Sequence, residues 1–212
     1  MDKMAALPQN NKVLSLAFVG TIYNWHPWKS FLIQFSKVVE ASEIPMQLNF
    51  YGINIAYKIT DFIKDFPEKT KRSIHISPRM ANHELLEQLA KNSIMVLFND
   101  YSIIGTKIYD YLGIQREIIL CYSNDKGAKE LKEKYYSLKG IEGLSTHLQE
   151  DLLKLTNGGT VIENEDELPE VLFNYIEEFT KNGKIACRSE GVENYSRTLQ
   201  IQKLAAIIKT IA

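Results

Sequence analysis

The stretch SIMVLFNDYSIIGTKIYDYLGIQREIIL, from Ser93 to Leu120, contains two apolar runs separated by a loop and a short helix-like segment. The runs SIMVLFN and EIIL are short and almost entirely apolar, which is typical of strands buried on both faces. Between them, Gly105 and Thr106 stand where a helix would begin. The stretch therefore predicts a strand, a loop, a helix and a second strand.

The same alternation of strand and helix runs along the whole chain. The apolar runs that predict strands are VLSLAFVG, MQLNFYG, SIHIS, SIMVLFN, EIILCYS and GTVIEN. The segments that predict the helices after them are PWKSFLIQFSKVVEAS, AYKITDFIKDF, NHELLEQLAKN, TKIYDYLG, GAKELKEKYYSL and DELPEVLFNYIEEFTK. Strands that alternate with helices pair in parallel through right-handed crossovers. We expect an α/β three-layer sandwich with a Rossmann-like, doubly wound six-stranded parallel sheet in the order 3-2-1-4-5-6.

Two further segments have helical patterns. The segment THLQEDLLKLT, within a long connection, predicts an extra helix. The C-terminal segment predicts an amphipathic helix that packs on a neighbour through Leu199, Leu204, Ile207, Ile208 and Ile211. Because no linker or repeat divides the pattern, we expect residues 13–212 to form one domain and residues 1–12 to be a linker or an N-terminal extension.

The composition is that of an ordinary globular protein. Of the 212 residues, 45% are hydrophobic and 24% charged, and the formal net charge is −1, which disfavours disorder and nucleic-acid binding. The two cysteines, Cys121 and Cys187, make no metal-ligand spacing and no disulfide framework. Neither a signal peptide nor an apolar run of roughly 20 residues is present. We expect no metal and no membrane span, and a location in the cytoplasm, free or at the inner membrane surface.

The loops after strands 1 and 4 carry the chain's most suggestive chemistry. Each has a glycine-threonine pair, Gly20-Thr21 and Gly105-Thr106, and the predicted strand order places both loops where ligands bind an open parallel sheet. The amides of Thr106 and Lys107 at a helix start, with the lysine charge, suit a phosphate. The alternative is a turn and a helix cap. Nicotinamide cofactors and ATP hydrolysis are disfavoured because neither a GxGxxG nor a Walker lysine motif is present.

Five segments, in their order, resemble a known family. They are LAFVGTIYNWHPWKSFLIQFSKV, SIHISPRMANHELLEQLAKNSIMVLFN, GTKIYDYLGIQREIIL, GGTVIENEDELPEVLFNYI and YSRTLQIQKLAAII. The chain from Val13 onward resembles the C-terminal, donor-binding domain of a GT-B glycosyltransferase, of the glycosyltransferase family 4 type. The resemblance implies a nucleotide-sugar-binding Rossmann-like domain over residues 13–212, with the nucleotide diphosphate sugar as substrate and no cofactor.

The resemblance also implies which residues hold the donor. They are Gly20, Thr21, Pro78, Arg79, Met80, Gly105, Thr106, Lys107 and Asp110. The loop after strand 1 would lie at the phosphates or the transferred sugar, the loop after strand 3 at the base, and the segment 105–107 at the diphosphate. Asp110 takes the place of a glutamate that holds the ribose. The family often has another acidic residue, separated from this one by seven residues, and that position is Ser102 here. Asn99, Asp100 and Tyr101 are the substitutes for its contact with the sugar.

The resemblance further implies partners outside this chain. Such enzymes need a second, N-terminal domain, which normally supplies the acceptor site and often the catalytic base, so no catalytic residue is assigned here. The acceptor is unknown, with a glycan or a lipid-linked glycan as candidates. The chain is either a fragment of a longer polypeptide or a half that needs a partner, and we expect it to be inactive alone. The alternative function is a non-catalytic nucleotide-binding or protein-interaction module on the same fold.

The aromatic segment WHPW, residues 25–28, precedes the first long helix. Trp25 and Trp28 are able to stack on a sugar or a base, but a packing role at the helix start is the simpler interpretation. His26 has no carboxylate or nucleophile at motif spacing, so we expect a structural histidine.

Overall fold

The computed structural model describes residues 2–99, 104–123, 126–128, 130, 134, 145 and 147–211. Within these residues, six strands form one parallel sheet in the order β3-β2-β1-β4-β5-β6. The strands are β1 Leu14–Val19, β2 Met46–Tyr51, β3 Ile74–Ser77, β4 Ile94–Phe98, β5 Glu117–Cys121 and β6 Gly159–Ile162. The predicted fold class and strand order are confirmed.

Helices cover both faces of the sheet. They are α1 Asp2–Ala5, α2 Trp28–Ala41, α3 Ala56–Phe62, α4 Glu68–Ser73, α5 Asn82–Ala90, α6 Lys107–Gly113, α7 Leu148–Thr156, α8 Leu168–Asn182 and α9 Arg197–Ile211. Short 3₁₀ turns are found at Ile63–Asp65, Glu165–Glu167 and Val192–Tyr195. The helix α7 confirms the predicted extra helix, and the predicted helix GAKELKEKYYSL lies mostly outside the described residues. No described helix is long and apolar enough to cross a membrane.

The two central strands explain why the opening stretch is continuously apolar. Along β4, Ile94, Val96 and Phe98 belong to one hydrophobic cluster, and Met95 and Leu97 belong to another. All five side chains are buried. Because successive side chains of a strand point to opposite faces, both faces of the sheet are covered at this point. The sheet thus carries one core on each side, as the three-layer arrangement requires.

The N-terminal segment lies against the domain. The Leu7 carbonyl accepts a hydrogen bond from Arg116, and the Asn10 amide donates to the Lys91 carbonyl at 2.9 Å. The Gln9 side chain exchanges two hydrogen bonds with the backbone of Ile185. Residues 7–10 of the segment predicted as a linker or extension are therefore fixed to the domain.

The C-terminal helix α9 does not pack as we expect from its sequence. Ile201, Leu204, Ile207 and Ile208 are between 55% and 65% exposed within the described chain. The apolar residues are spread around the helix and do not form one narrow stripe, so no single face is suited to the domain's surface. The helix forms where predicted. The expected burial is wrong for Leu204, Ile207 and Ile208, whereas Leu199 is half-buried.

Candidate functional site

Five of the predicted residues meet in one cavity at the carboxyl ends of the strands. The pairing places Val19 of β1 beside Tyr51 of β2, and Tyr51 beside Ser77 of β3, so the three loops that follow begin at one level. Between these loops and the start of α5 lies a cavity of about 390 Å³. The predicted residues in its lining are Gly20, Thr21, Pro78, Arg79 and Met80. The loops predicted for the phosphates and for the base therefore face the same space.

Two glycines shape this cavity. Gly20 has φ +83° and Gly52 has φ +59°, conformations that strain any residue with a Cβ atom. A Cβ at Gly52 would lie 3.4 Å from the Arg79 Cα, so the loops after β2 and β3 touch there. Gly52 lines the cavity but was not predicted. The signal was present, because Gly52 follows a buried strand directly, as Gly20 does.

Lys107 reaches this region from the other side of the switch point. Its Nζ donates a hydrogen bond to the Thr21 carbonyl at 3.2 Å and lies 4.7 Å from the centre of the Phe18 ring. A Cβ at Gly20 would lie 3.1 Å from the Lys107 Cε. Glycine at this position thus makes room for the lysine, whose positive charge lies on the loop that lines the cavity.

Tyr111, one turn after Lys107, positions α6 and was missed by the sequence analysis. It is fully buried, and its hydroxyl accepts a hydrogen bond from the Val19 amide at 3.2 Å. Burial is the main reason that the pKa of Tyr111 is raised far above its ordinary value, so the hydroxyl stays neutral. Residues four apart lie on one helix face, so this bond also directs Lys107 toward β1.

The other predicted residues of this segment, Gly105 and Thr106 before α6 and Asp110 within it, do not line the cavity. Gly105 has φ +69°, and the exposed Thr106 side chain makes no capping hydrogen bond to the described residues. Asp110 is half-buried. Burial raises the pKa of its carboxyl, and the charge of Arg197 opposes that rise. Lys107 thus contacts a lining residue of the cavity, through the Thr21 carbonyl, and the ribose role of Asp110 stays a prediction.

The loop between β4 and α6 is described only in part. Two of the three residues predicted as substitutes for the sugar contact, Asp100 and Tyr101, lie outside the described residues, as does Ser102, the position of the family's acidic residue. Asn99, just before them, is 5% exposed, and its Nδ2 has no hydrogen-bond partner in the described part of the chain. Nor do the described residues hold a group of three or more His, Cys, Asp or Glu side chains suited to a metal ion.

The loop between β1 and α2 is held in shape by its aromatic residues. His26 is 5% exposed, and its Nδ1 accepts a hydrogen bond from the Tyr23 amide at 3.2 Å. The Tyr23 ring stacks on Trp25 with centroids 4.6 Å apart, and Trp28 packs edge-on against Phe62. The structural interpretation of His26 agrees with these contacts, as does the packing interpretation of Trp28.

A second and larger cleft lies beside the first cavity, between this loop, the start of α2, and α3. Its volume is about 1060 Å³, and none of its lining residues lines the smaller cavity. Along the chain, the change from one space to the other falls between Thr21 and Ile22, and Ile22 bonds the Asn54 side chain through its amide and its carbonyl, at 2.8 and 3.2 Å. Thr21 therefore faces the smaller cavity, whereas Tyr23 faces the larger cleft.

Comparison with solved structures shows the same fold in longer proteins. This chain is similar to HepE (Alr3699) of Anabaena, solved with UDP-glucose, with 11% identity and a TM-score of 0.57 over 93% of this chain and 49% of that chain. It is similar to TarM, with 12% identity and a TM-score of 0.55 over 94% of this chain and 36% of that chain. It is also similar to a putative UDP-N-acetylglucosamine 2-epimerase from Listeria monocytogenes, with 10% identity and a TM-score of 0.50 over 82% and 40%.

At these identities the likenesses establish the fold. The chain spans less than half the length of each of these proteins. No protein-family model matches the sequence, and no curated protein sequence matches it. The assignment to family 4 stays a prediction. The chain has the Rossmann-like fold that its resemblance to the donor-binding half of GT-B glycosyltransferases implies.

Proposed function

We propose that this chain is the donor-binding half of a glycosyltransferase, which transfers a sugar from a nucleotide diphosphate sugar to an acceptor. One observation carries the proposal: the loops predicted for phosphate and base line one cavity, and the Lys107 ammonium group rests on the Thr21 carbonyl at its edge. The likeness to HepE, which was solved with UDP-glucose, favours a uridine nucleotide. The two cysteines are free thiols, which favours a cytoplasmic location.

We assign the parts of the donor to the cavity and to α6, whose Lys107 contacts the cavity lining through the Thr21 carbonyl. The cavity's volume of about 390 Å³ is at the small end of ligand pockets, which suits a nucleoside. Met80 supplies an apolar surface for the base, and the absence of a side chain at Gly20 lets a diphosphate approach the backbone. Lys107 supplies the positive charge that the diphosphate needs, and Asp110 is the proposed acceptor for the ribose hydroxyls. We propose no metal ion and no further cofactor.

The chemistry assigned to these residues is binding and charge stabilisation. In the transfer, the bond between the sugar's anomeric carbon and the diphosphate oxygen breaks, and the nucleoside diphosphate leaves with the bonding electrons. The anomeric carbon bonds to an acceptor hydroxyl oxygen, whose proton passes to a base outside the described site. Negative charge grows on the leaving diphosphate, so a lysine fixed beside it favours the transition state.

The test is a calorimetric titration of the 212-residue chain with UDP, GDP and their sugar forms. A dissociation constant below about 1 mM for a nucleoside diphosphate supports the proposal. Failure of every nucleotide to bind at millimolar concentration overturns it in favour of a protein-interaction module on the same fold. Binding of the nucleotides with equal affinity for their sugar-free and sugar-bearing forms, and no discrimination between bases, favours the non-catalytic nucleotide-binding alternative.

A pair of matched glycine variants locates the site. Gly20→Ala places a Cβ 3.1 Å from the Lys107 Cε, whereas Gly183→Ala, at the end of α8, places one no closer than 3.9 Å to Asn11. Both glycines have positive φ, +83° and +67°, so both variants carry backbone strain. We expect nucleoside diphosphate binding to weaken only in Gly20→Ala. Equal affinities in the two variants would place the nucleotide elsewhere.

A further inference from the structure

The larger cleft, which we call the aromatic cleft, has two walls. One wall is the loop between β1 and α2 with the first turn of α2, and the other is α3 with the turn after it. Its lining includes four aromatic residues and two lysines whose side chains indicate its ligand. They are Tyr23, Trp28, Tyr57, Phe62, Lys29 and Lys58. Its volume of about 1060 Å³ is at the upper end of ligand pockets, and has room for more than one sugar ring.

Two of the four aromatic rings of this cleft, those of Tyr23 and Tyr57, are exposed. Tyr57 of α3 is 70% exposed, and Tyr23 of the opposite wall is 38% exposed while its other face stacks on Trp25. Large apolar surfaces that remain open beside a cleft mark interaction sites. An amphipathic ring of this kind offers a flat apolar face together with a polar hydroxyl. Flat faces of this type match the C–H faces of sugar rings, whose hydroxyl groups point outward.

The charge of the cleft is positive. Lys64 pairs with Asp61, so those two charges cancel. Lys29 lies 5.5 Å from the centre of the Trp28 ring, and Lys58 lies 5.9 Å from that of Tyr57. Neither of these lysines forms an ion pair with the described residues. Two ammonium groups, each beside an aromatic ring, favour a ligand that has both a sugar face and a negative charge.

The position of the cleft relates it to the donor cavity. Thr21 lines the cavity, whereas the next two residues, Ile22 and Tyr23, line the cleft, and two hydrogen bonds from Asn54 fix the backbone of Ile22. A ligand in the aromatic cleft therefore sits next to the end of the donor cavity at which the phosphates and the transferred sugar are proposed to lie. In a transferase, the molecule in that place is the acceptor.

We propose that the aromatic cleft binds the acceptor, and that this acceptor is a glycan of at least two sugar rings that carries a negative charge. The role of this glycan as the acceptor rests on the proposed function. The binding of an anionic glycan to the cleft does not depend on that function. The negative charge is a carboxylate or a phosphate on the glycan, and the two sources are separated by the probes. The acceptor site is thus built in part by this chain and not only by a second domain.

The experiment uses the chain's own tryptophans. The chain has two tryptophans: Trp28 lines the aromatic cleft, and Trp25 stacks on Tyr23 of its wall. Their fluorescence therefore reports on the cleft. The probes are maltotetraose, maltotetraose 1-phosphate, a hyaluronan tetrasaccharide as the carboxylate form, and inorganic phosphate. We expect at least one anionic tetrasaccharide to change the fluorescence and to bind fivefold or more tightly than neutral maltotetraose. Inorganic phosphate should bind more weakly than that tetrasaccharide.

Three variants make the test specific. Tyr57→Ala and Lys58→Gln change exposed side chains of the cleft, and each should lower the affinity for the anionic tetrasaccharide by threefold or more. Lys12→Gln removes the same charge from the opposite edge of the sheet, just before β1, and should leave that affinity unchanged. Binding of no anionic glycan, equal binding of the neutral one, or an equal loss in Lys12→Gln would each overturn the inference.

A parallel titration separates this inference from the proposed function. UDP and GDP affinity, measured by calorimetry, should be the same in Tyr57→Ala and Lys58→Gln as in the parent chain, because the donor cavity shares no lining residue with the cleft. Nucleotide binding without glycan binding overturns only the assignment of the cleft. Glycan binding without nucleotide binding overturns the donor proposal, and with it the role of the glycan as acceptor.

Discussion

Lys107 joins α6 to the loop after β1, and its Nζ lies 3.2 Å from the Thr21 carbonyl. In the proposed function this ammonium group meets the donor diphosphate, and a hydrogen bond to a charged group contributes about 1.5–3 kcal/mol. Lys107→Ala should therefore weaken the binding of UDP by roughly tenfold or more and leave that of uridine unchanged. Calorimetric titration of the variant with both ligands measures the two effects.

Asp110 provides the contrast on the same helix face. Because uridine and UDP both carry the ribose, Asp110→Asn should weaken the two ligands by a similar factor. Equal losses for the two ligands in Lys107→Ala would show that the lysine does not contact the phosphate. Residues 105–107 would then be only a turn and a helix start.

The residues of the donor cavity differ in how far the sequence could reveal them. Gly20 and Thr21 were predictable, because a glycine after a buried strand marks a ligand loop in this fold. The part that Tyr111 plays was not predictable. Its hydroxyl bonds an amide 92 residues away, and no local pattern records which buried tyrosine will end beside which strand. The proposed contact of Asp110 with the ribose also depends on residues distant in sequence, and no local pattern predicts it.

Among the secondary-structure elements, several connections meet at the side chain of Arg116, which is 4% exposed. Its guanidinium donates to the carbonyls of Leu7, Ala90, Asn92, Ile114 and Gln115. These acceptors belong to the N-terminal segment, the turn from α5 to β4, and the turn from α6 to β5. The arginine thus fastens three connections at the edge of the sheet opposite the donor cavity.

Removing this guanidinium leaves buried carbonyl groups without donors. Arg116→Met should lower the free energy of unfolding by about 3 kcal/mol or more. Arg116→Lys should recover little of it, because an ammonium group has three donors and lacks the planar fork. The midpoint of urea unfolding measures the change. Arg72→Met on the exposed side of α4 is the control, and a similar loss there would contradict the role given to Arg116.

A second junction, between β5, β6 and α8, contains a carboxyl group. The Tyr175 hydroxyl donates to Glu117 at 2.8 Å, and Thr160 lies 2.7 Å from the same hydroxyl. Burial raises the pKa of Glu117, and the hydrogen bond from Tyr175 offsets part of the rise. The folded chain therefore holds this proton more tightly than the unfolded chain. The resulting stability is fully present below the unfolded pKa and is lost as the pH rises through the folded pKa.

Glu117→Gln tests this dependence, because glutamine keeps an oxygen for the Tyr175 hydroxyl and does not ionise. The free energy of unfolding of Glu117→Gln, relative to the parent chain, should increase as the pH rises above about 4, the ordinary pKa of a glutamate. Urea unfolding at several pH values measures it. Glu87→Gln, on an exposed position of α5, should show no such increase. A relative stability of Glu117→Gln that stays constant with pH would rule out the raised pKa.

The predicted elements were most reliable where both faces are buried. The strands β1 and β4 were evident, because a short, continuous apolar run between turns and helices is typical of a strand at the centre of a parallel sheet. The helix α4, with the sequence EKTKRS, was not predicted. Its buried residues are only Thr70 and Ser73, so the sequence has no helical spacing of apolar residues that would predict this helix. The helix α9 has many apolar residues, but its sequence alone does not predict whether the domain has a surface on which they pack.

Considered as a whole, the molecule forms both proposed sites at one edge of one sheet. The proposed donor cavity and the aromatic cleft are both lined by loops that follow the carboxyl ends of the strands, and the loop after β1 lines the cavity up to Thr21 and the cleft from Ile22 onward. The chain spans 49% of the length of HepE, which was solved with UDP-glucose. In the proposed function, ligand binding needs only the residues at this edge of the sheet. Sugar transfer also needs a base for the acceptor proton and the exclusion of water.

The last prediction concerns turnover by the 212 residues alone. His26 lines the aromatic cleft, but its Nδ1 accepts a hydrogen bond from the Tyr23 amide and the residue is only 5% exposed. It is therefore poorly placed to serve as that base. We expect the purified chain to bind a nucleotide sugar and to release no free sugar and form no glycoside from it. Incubation with radiolabelled UDP-glucose and the anionic tetrasaccharides, followed by chromatography, measures both products. Robust transfer would show that this chain holds a complete active site, and that the second domain expected from the resemblance is not needed for chemistry.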